Sequence, residues 1–155
     1  MSKVLDFNPF LKKDNYENDD IYEQKNHMEF INNIINNVEF DGKKHILQKI
    51  KNKLSSYKSQ DKINKKFDEE KFISLSQLLE MIRDSNLKCY YCNCDMLLVY
   101  KNKKETKQWS LERLNNNLGH YNSNTCISCL ECNLKRRQTN HEYFKYSKNL
   151  VIKKV

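Results

Sequence analysis

The stretch 110-SLERLNNNLGHYNSNTCISCLECNLKRR-137 decides how the chain is read. It leaves a strand-like start for a loop of Asn, Gly and His, then passes through "NTCISC", whose alternation marks a buried strand. From Leu130 to about Tyr146 the pattern turns helical, so the closing helix opens inside the pair Cys129 and Cys132. Just upstream, "MLLVYKNKKETKQWSLERL" reads as two strands around a polar turn at 101–106.

A matching pair, Cys89 and Cys92, lies 36 intervening residues before Cys129. Zinc takes four thiolate or imidazole ligands in a tetrahedron, commonly from two such short knuckles. The spacing therefore predicts a structural zinc site of Cys89, Cys92, Cys129 and Cys132. Cys92 with Cys94, or Cys126 with Cys129, are alternative knuckles; Cys126 fits a small buried hydrophobe, and both Cys94 and Cys126 are left out of the expected set. Four thiolates leave no open position, so this metal would hold the fold and do no chemistry.

Working outward, "HMEFINNIINNVEF" (27–40) carries Met28, Ile31, Ile34, Ile35 and Val38 at helical spacing, with Asp41-Gly42 as a stop. A second helix is expected from Lys43, burying Ile46, Leu47, Ile50 and Leu54; residues 58–71 read as a solvated linker or its extension. Ser74 or Ser76 can cap a third helix with Leu78, Leu79 and Ile82 inward. Residues 1–26 read as an irregular or partly disordered arm. Only two Gly and one Pro in 155 residues disfavour a turn-dense β fold.

No apolar run approaches the ~18–20 residues of a membrane span, so a soluble, intracellular protein is expected, with its six Cys reduced. The net charge of +8 is concentrated: residues 87–155 hold 13 Lys/Arg against 5 Asp/Glu, whereas residues 1–40 hold 4 against 8. The cysteine-rich half is where a polyanion would bind.

Together "KCYYC" and "SLERLNNNLGHYNSNTCISCLECNLKR" resemble the HNH endonucleases, the His-Me finger or ββα-metal family, in particular the zinc-knuckle members found in phages and large DNA viruses. The likeness covers about residues 87–145. It implies zinc on Cys89, Cys92, Cys129 and Cys132, an acidic ligand of a catalytic Mg2+ or Mn2+ at Glu112, Asn133 completing that site, and Asn124 orienting the loop. Arg113 stands where the family usually has its general-base His, and Arg cannot accept a proton near neutrality. His120, within the loop, is then the side chain able to act as base. Arg113 would brace a phosphate, and Lys135, Arg136 and Arg137 would contact the DNA backbone.

The resulting expectation is an α+β protein: arm 1–26, helical region 27–86, zinc-stapled ββα domain 87–146 and tail 147–155. It would be a metal-dependent DNA endonuclease. The alternatives are a silent zinc-stapled DNA-binding module, with Glu112 and Arg113 a plain ion pair, or a zinc-ribbon protein-interaction module. Trp109 reads as core, and His141, although at helical spacing from Asn133, as structural or exposed; His27 and His45 support no functional role.

Overall fold

Apolar stripes on three helices and the residues of a small sheet share one core. In the computed structural model, which describes residues 13–153, α1 (His27–Ile35), α2 (Lys43–Ile63) and α3 (Leu75–Asp84) precede the strands β1 (Trp109–Arg113) and β2 (Thr125–Cys129). Helices α4 (Leu130–Arg136) and α5 (His141–Lys148) follow. The class is α+β, as expected. Among the described residues no helix is long and apolar enough to cross a membrane.

Helix α1 buries Ile31 and Ile34 but stops at Ile35 instead of near Phe40. Asn37 adopts a left-handed φ of 54°, so the amides of Asn37 and Val38 reach back to the carbonyls of Ile34 and Asn33 and close the last turn. Helix α2 buries Ile46 and Ile50 and runs to Ile63, so the charged segment 58–71 extends the helix over its first six residues and is a non-helical linker beyond. Ser74 caps α3 in a capping box with Gln77, and Leu78, Leu79 and Ile82 point inward.

Three expectations need correction. Residues 1–12 of the arm lie outside the described residues; from Lys13 onward it is docked, not loose, with Ile21 buried and Asp14 bonded to Tyr22, His45 and Lys49. The partner of β1 is β2, in antiparallel register from Trp109↔Cys129 to Arg113↔Thr125; the segment before the turn makes only a single parallel bridge, Leu97↔Gln108. The closing helix is broken at Arg137, whose φ is 51°, and restarts where the Asn140 side chain accepts from the amides of Glu142 and Tyr143.

The helical and cysteine-rich halves are not separately cored. One apolar cluster runs from Ile21 through Ile46, Leu78 and Trp109 to Phe144. Helix α2 also covers the free edge of β1: Tyr57 Oη accepts from Leu111 N–H at 3.1 Å, and Lys53 Nζ donates to the Trp109 carbonyl. Backbone groups that a bare edge would leave open are thereby satisfied by side chains of the helix. This contact aligns α2 with the strand that carries Glu112 and Arg113.

Candidate functional site

The turn at residues 89–94 is tight. Cys89 N–H donates to the Cys94 carbonyl at 2.9 Å, Asn93 N–H donates to the Cys89 carbonyl, and Asn93 takes a φ of 60°. It brings three sulfurs to one side, where the end of β2 adds Cys129. The Sγ atoms of Cys89, Cys92, Cys94 and Cys129 all lie within 4.8 Å of one another, with Cys92 and Cys129 3.9 Å apart. Sulfurs on a tetrahedral zinc at 2.3 Å stand ~3.8 Å apart, so this group fits a structural metal such as zinc.

Cys94 takes the place expected of Cys132 in this quartet. Cys132 is one helical step away: its N–H donates to Cys129 Sγ at 3.4 Å, and its thiol interacts with those of Cys92 and Cys129. Five cysteines thus converge, while Cys126 is buried on β2 and outside the quartet. The Cys89 thiol is pulled well below its ordinary range, first by hydrogen bonding with Cys129, whose own thiol is pushed up. Binding of a cation here would displace the remaining thiol protons.

A second site lies along the free side of β1. A cleft of about 350 Å³ is lined by Lys53, Tyr57 and Gln60 of α2, by β1 from Ser110 to Arg113, and by His120 and Asn133. Four of the residues singled out in the sequence, Glu112, Arg113, His120 and Asn133, therefore meet here. Glu112 is buried; Oε1 accepts from Arg136 Nη1 at 3.2 Å, whereas Oε2 is buried with no hydrogen-bond partner among the described residues. Burial pushes its carboxyl up to about 7, against the pull of Arg136 and Arg113. An orphaned buried carboxylate oxygen is a position a cation would fill. Asn133 donates through Nδ2 to Ser110 Oγ at 3.1 Å, so Oδ1 is its remaining ligand atom.

His120 is held by a residue absent from the sequence reading. Asp61, wholly buried near the end of α2, accepts from His120 Nδ1 at 2.7 Å and from the His120 backbone N–H at 2.6 Å. Nδ1 is thus the protonated nitrogen, and Nε2, on the ring that lines the cleft, has no protein partner among the described residues. Burial lowers the His120 pKa below 6.5, with Asp61 pulling it back up. A Cβ on Gly119 would stand 2.6 Å from Asp61 Oδ2 and 2.5 Å from the Lys66 carbonyl, so only glycine allows this approach. A signal for Asp61 existed: it is the one carboxylate among the lysines of α2, and it extends the buried stripe of Ile46, Ile50 and Tyr57.

Asn124 is fully engaged in shaping the same loop. Its Oδ1 accepts from Asn115 N–H, and its Nδ2 donates to the carbonyls of Asn115 and Gly119. Of the expected backbone-contacting trio, Arg136 is buried and turned inward onto Glu112 and the carbonyls of Arg113, Leu114 and Thr139. It braces the site and is not available to a phosphate. Lys135 is exposed and paired with Glu131, and Arg137 is exposed. His141 begins α5 beyond the break, so it does not share a helix with Asn133. Lys53, also missed, reaches the cleft beside Trp109, and burial pushes its ammonium down to about 7. Trp109 is core, as expected. Compared with known proteins, the chain matches no family model, no curated protein and no solved structure.

Proposed function

We propose that this protein is a metal-dependent DNA endonuclease of the HNH type, hydrolysing phosphodiester bonds. The observation that supports it is one cleft holding a buried, half-satisfied carboxylate, an aspartate-oriented imidazole and an arginine. Glu112 and Asn133 would hold the divalent ion, Mg2+ or Mn2+, which when bound supplies positive charge to the phosphate and the leaving oxygen. His120 Nε2 takes the proton of the attacking water, and the imidazolium so formed faces Asp61 across Nδ1–H. The Arg113 guanidinium braces a non-bridging oxygen. Asn124 and Asp61 act through His120 by fixing its loop and its tautomer. The base thus comes from the loop and its orienting carboxylate from α2, outside the finger itself.

Arg113 in the family's base position favours a second reading, a zinc-stapled DNA-binding module without catalysis. Cleavage of supercoiled plasmid with Mg2+ or Mn2+ separates them, comparing wild type with His120→Ala, Glu112→Gln and Asp61→Asn proteins that retain zinc and fold. The wild type nicks; His120→Ala and Glu112→Gln lose about 10²-fold or more, the usual scale of a lost acid–base group. At saturating divalent metal, which holds Glu112 ionised despite its raised pKa, the wild-type rate falls toward acid with a midpoint below pH 6.5, because His120 must be neutral and burial lowers its pKa. Asp61→Asn lowers the plateau and shifts that midpoint further down. Inactivity with every divalent metal, together with salt-sensitive DNA binding, selects the binding module; no binding even at low salt points to a protein partner.

A further inference from the structure

Two other depressions flank the cleft, and shared walls join all three. One, of about 870 Å³, lies between Lys66, the 113–117 loop and the corner between α4 and α5; Arg113 belongs both to it and to the cleft. The other, of about 550 Å³, lies between α2, Lys13 and the 98–103 segment; Lys53 and Ser56 belong both to it and to the cleft. The depressions are therefore consecutive.

Their charge is one-sided. The three linings together contain eight Lys/Arg besides the inward-turned Arg136, and only two carboxylates, Asp14 and Glu112. Both carboxylates already have cationic partners, Asp14 in Lys49 and Glu112 in Arg136. In the larger flanking pocket His141 keeps a buried Nδ1 with no hydrogen-bond partner among the described residues. Helix α2 walls the cleft and the smaller pocket from Lys49 to Gln60. At 1.5 Å per residue that is about 16 Å, the length of about five phosphates of one strand at 3.4 Å each.

We infer that the three depressions form one backbone track, in which a single DNA strand lies with its scissile phosphate over the cleft and its flanking phosphates in the two basic pockets. The inference rests on the nuclease reading and deepens it. It gives the helical half a task, because α2, Lys13 and Lys66 make one wall of the track. Recognition is of the backbone, by cations and amides.

Fluorescence anisotropy of a labelled 12-nucleotide single-stranded DNA tests it, with zinc-loaded protein and no added Mg2+, so that binding is read without cleavage. The variants are Lys103→Glu in one flanking pocket and Arg137→Glu in the other, both exposed and outside the catalytic set, with exposed Lys44→Glu, in none of the three linings, as control. Each pocket variant weakens binding about five- to tenfold and reduces the salt slope by about one, from a wild-type value steeper than about −3.5, the figure for the five phosphates along α2 alone. Lys44→Glu changes neither beyond a uniform loss of under twofold. If wild type binds and cleaves but both pocket variants match the control, the track is overturned and the nuclease reading stands. Absence of binding at any salt overturns both.

Discussion

His27 and His120 are both buried imidazoles, and the partners of their ring nitrogens give them different work. His27 Nε2 donates to the Ile21 carbonyl at 2.9 Å and Nδ1 accepts from Leu98 N–H at 3.1 Å, so the neutral ring is fully occupied in tying the arm to the segment before β1. His120 uses only Nδ1, on Asp61, and leaves Nε2 without a hydrogen-bond partner among the described residues. A proton on His27 Nδ1 would face an N–H, and burial accordingly pushes its pKa below the ordinary 6.5. The unfolded chain takes up a proton near pH 6.5 while the folded chain waits for lower pH. Stability from this group is therefore complete above about pH 7.5 and falls as the pH drops through 6.5 toward the folded-state value. In urea unfolding between pH 7.5 and 5.5, where groups such as Glu112 contribute equally to both proteins, His27→Gln should be less stable than wild type, and the gap between the two should narrow as the pH falls. Equal slopes would assign the acid sensitivity to other groups.

At the level of elements, the joint between α4 and β1 depends on Arg136, which donates to Thr139 O at 2.7 Å, to Glu112 Oε1, to Leu114 O at 2.6 Å and to Arg113 O. Arg136→Met removes every one of these donors and leaves the Glu112 carboxylate buried without its cation. A loss of about 3–5 kcal/mol in urea unfolding is expected, against about 0.5 kcal/mol or less for Arg137→Met on the exposed side. Similar losses in the two would show that Arg136 is not the joint. The inward turn of Arg136 was legible in principle: it lies four residues after buried Cys132 and so shares its face. The stripes of α2 and α3, the Ser74 cap and the buried strand at Cys126 were read correctly because periodicity and capping act within a few residues. The pairing of β1 with β2, and of Asp61 with His120 from 59 residues away, depends on contacts that no local pattern encodes. The stops at Asn37 and Arg137 were missed because non-glycine residues there take left-handed φ.

For the whole molecule, one core joins the helices to the sheet, and the thiol cluster pins the end of β2 and the start of α4 to the 89–94 turn. Structural zinc in small domains binds with roughly 10–16 kcal/mol, as large as the roughly 5–15 kcal/mol net stability of a typical domain. Removing it should therefore unfold the shared core, α1 and α2 included, in a single transition. Five converging thiols also make the site redundant at one position. Cys89, Cys92 and Cys129 belong to both the observed quartet and the expected one, whereas Cys94 and Cys132 each interact with Cys92 and Cys129 and compete for the fourth place. Purified Cys89→Ser should contain no zinc and lack a cooperative melt. Cys94→Ser and Cys132→Ser should each keep one zinc per chain, released by a lower chelator concentration than wild type requires, and only their combination should lose it. Cys126→Ser, outside the quartet, should keep wild-type zinc content. Metal analysis with circular dichroism melts checks all five proteins together. Loss of zinc from Cys132→Ser but not from Cys94→Ser would return the fourth ligand to the start of α4, and loss in the reverse pattern would fix it on the 89–94 turn.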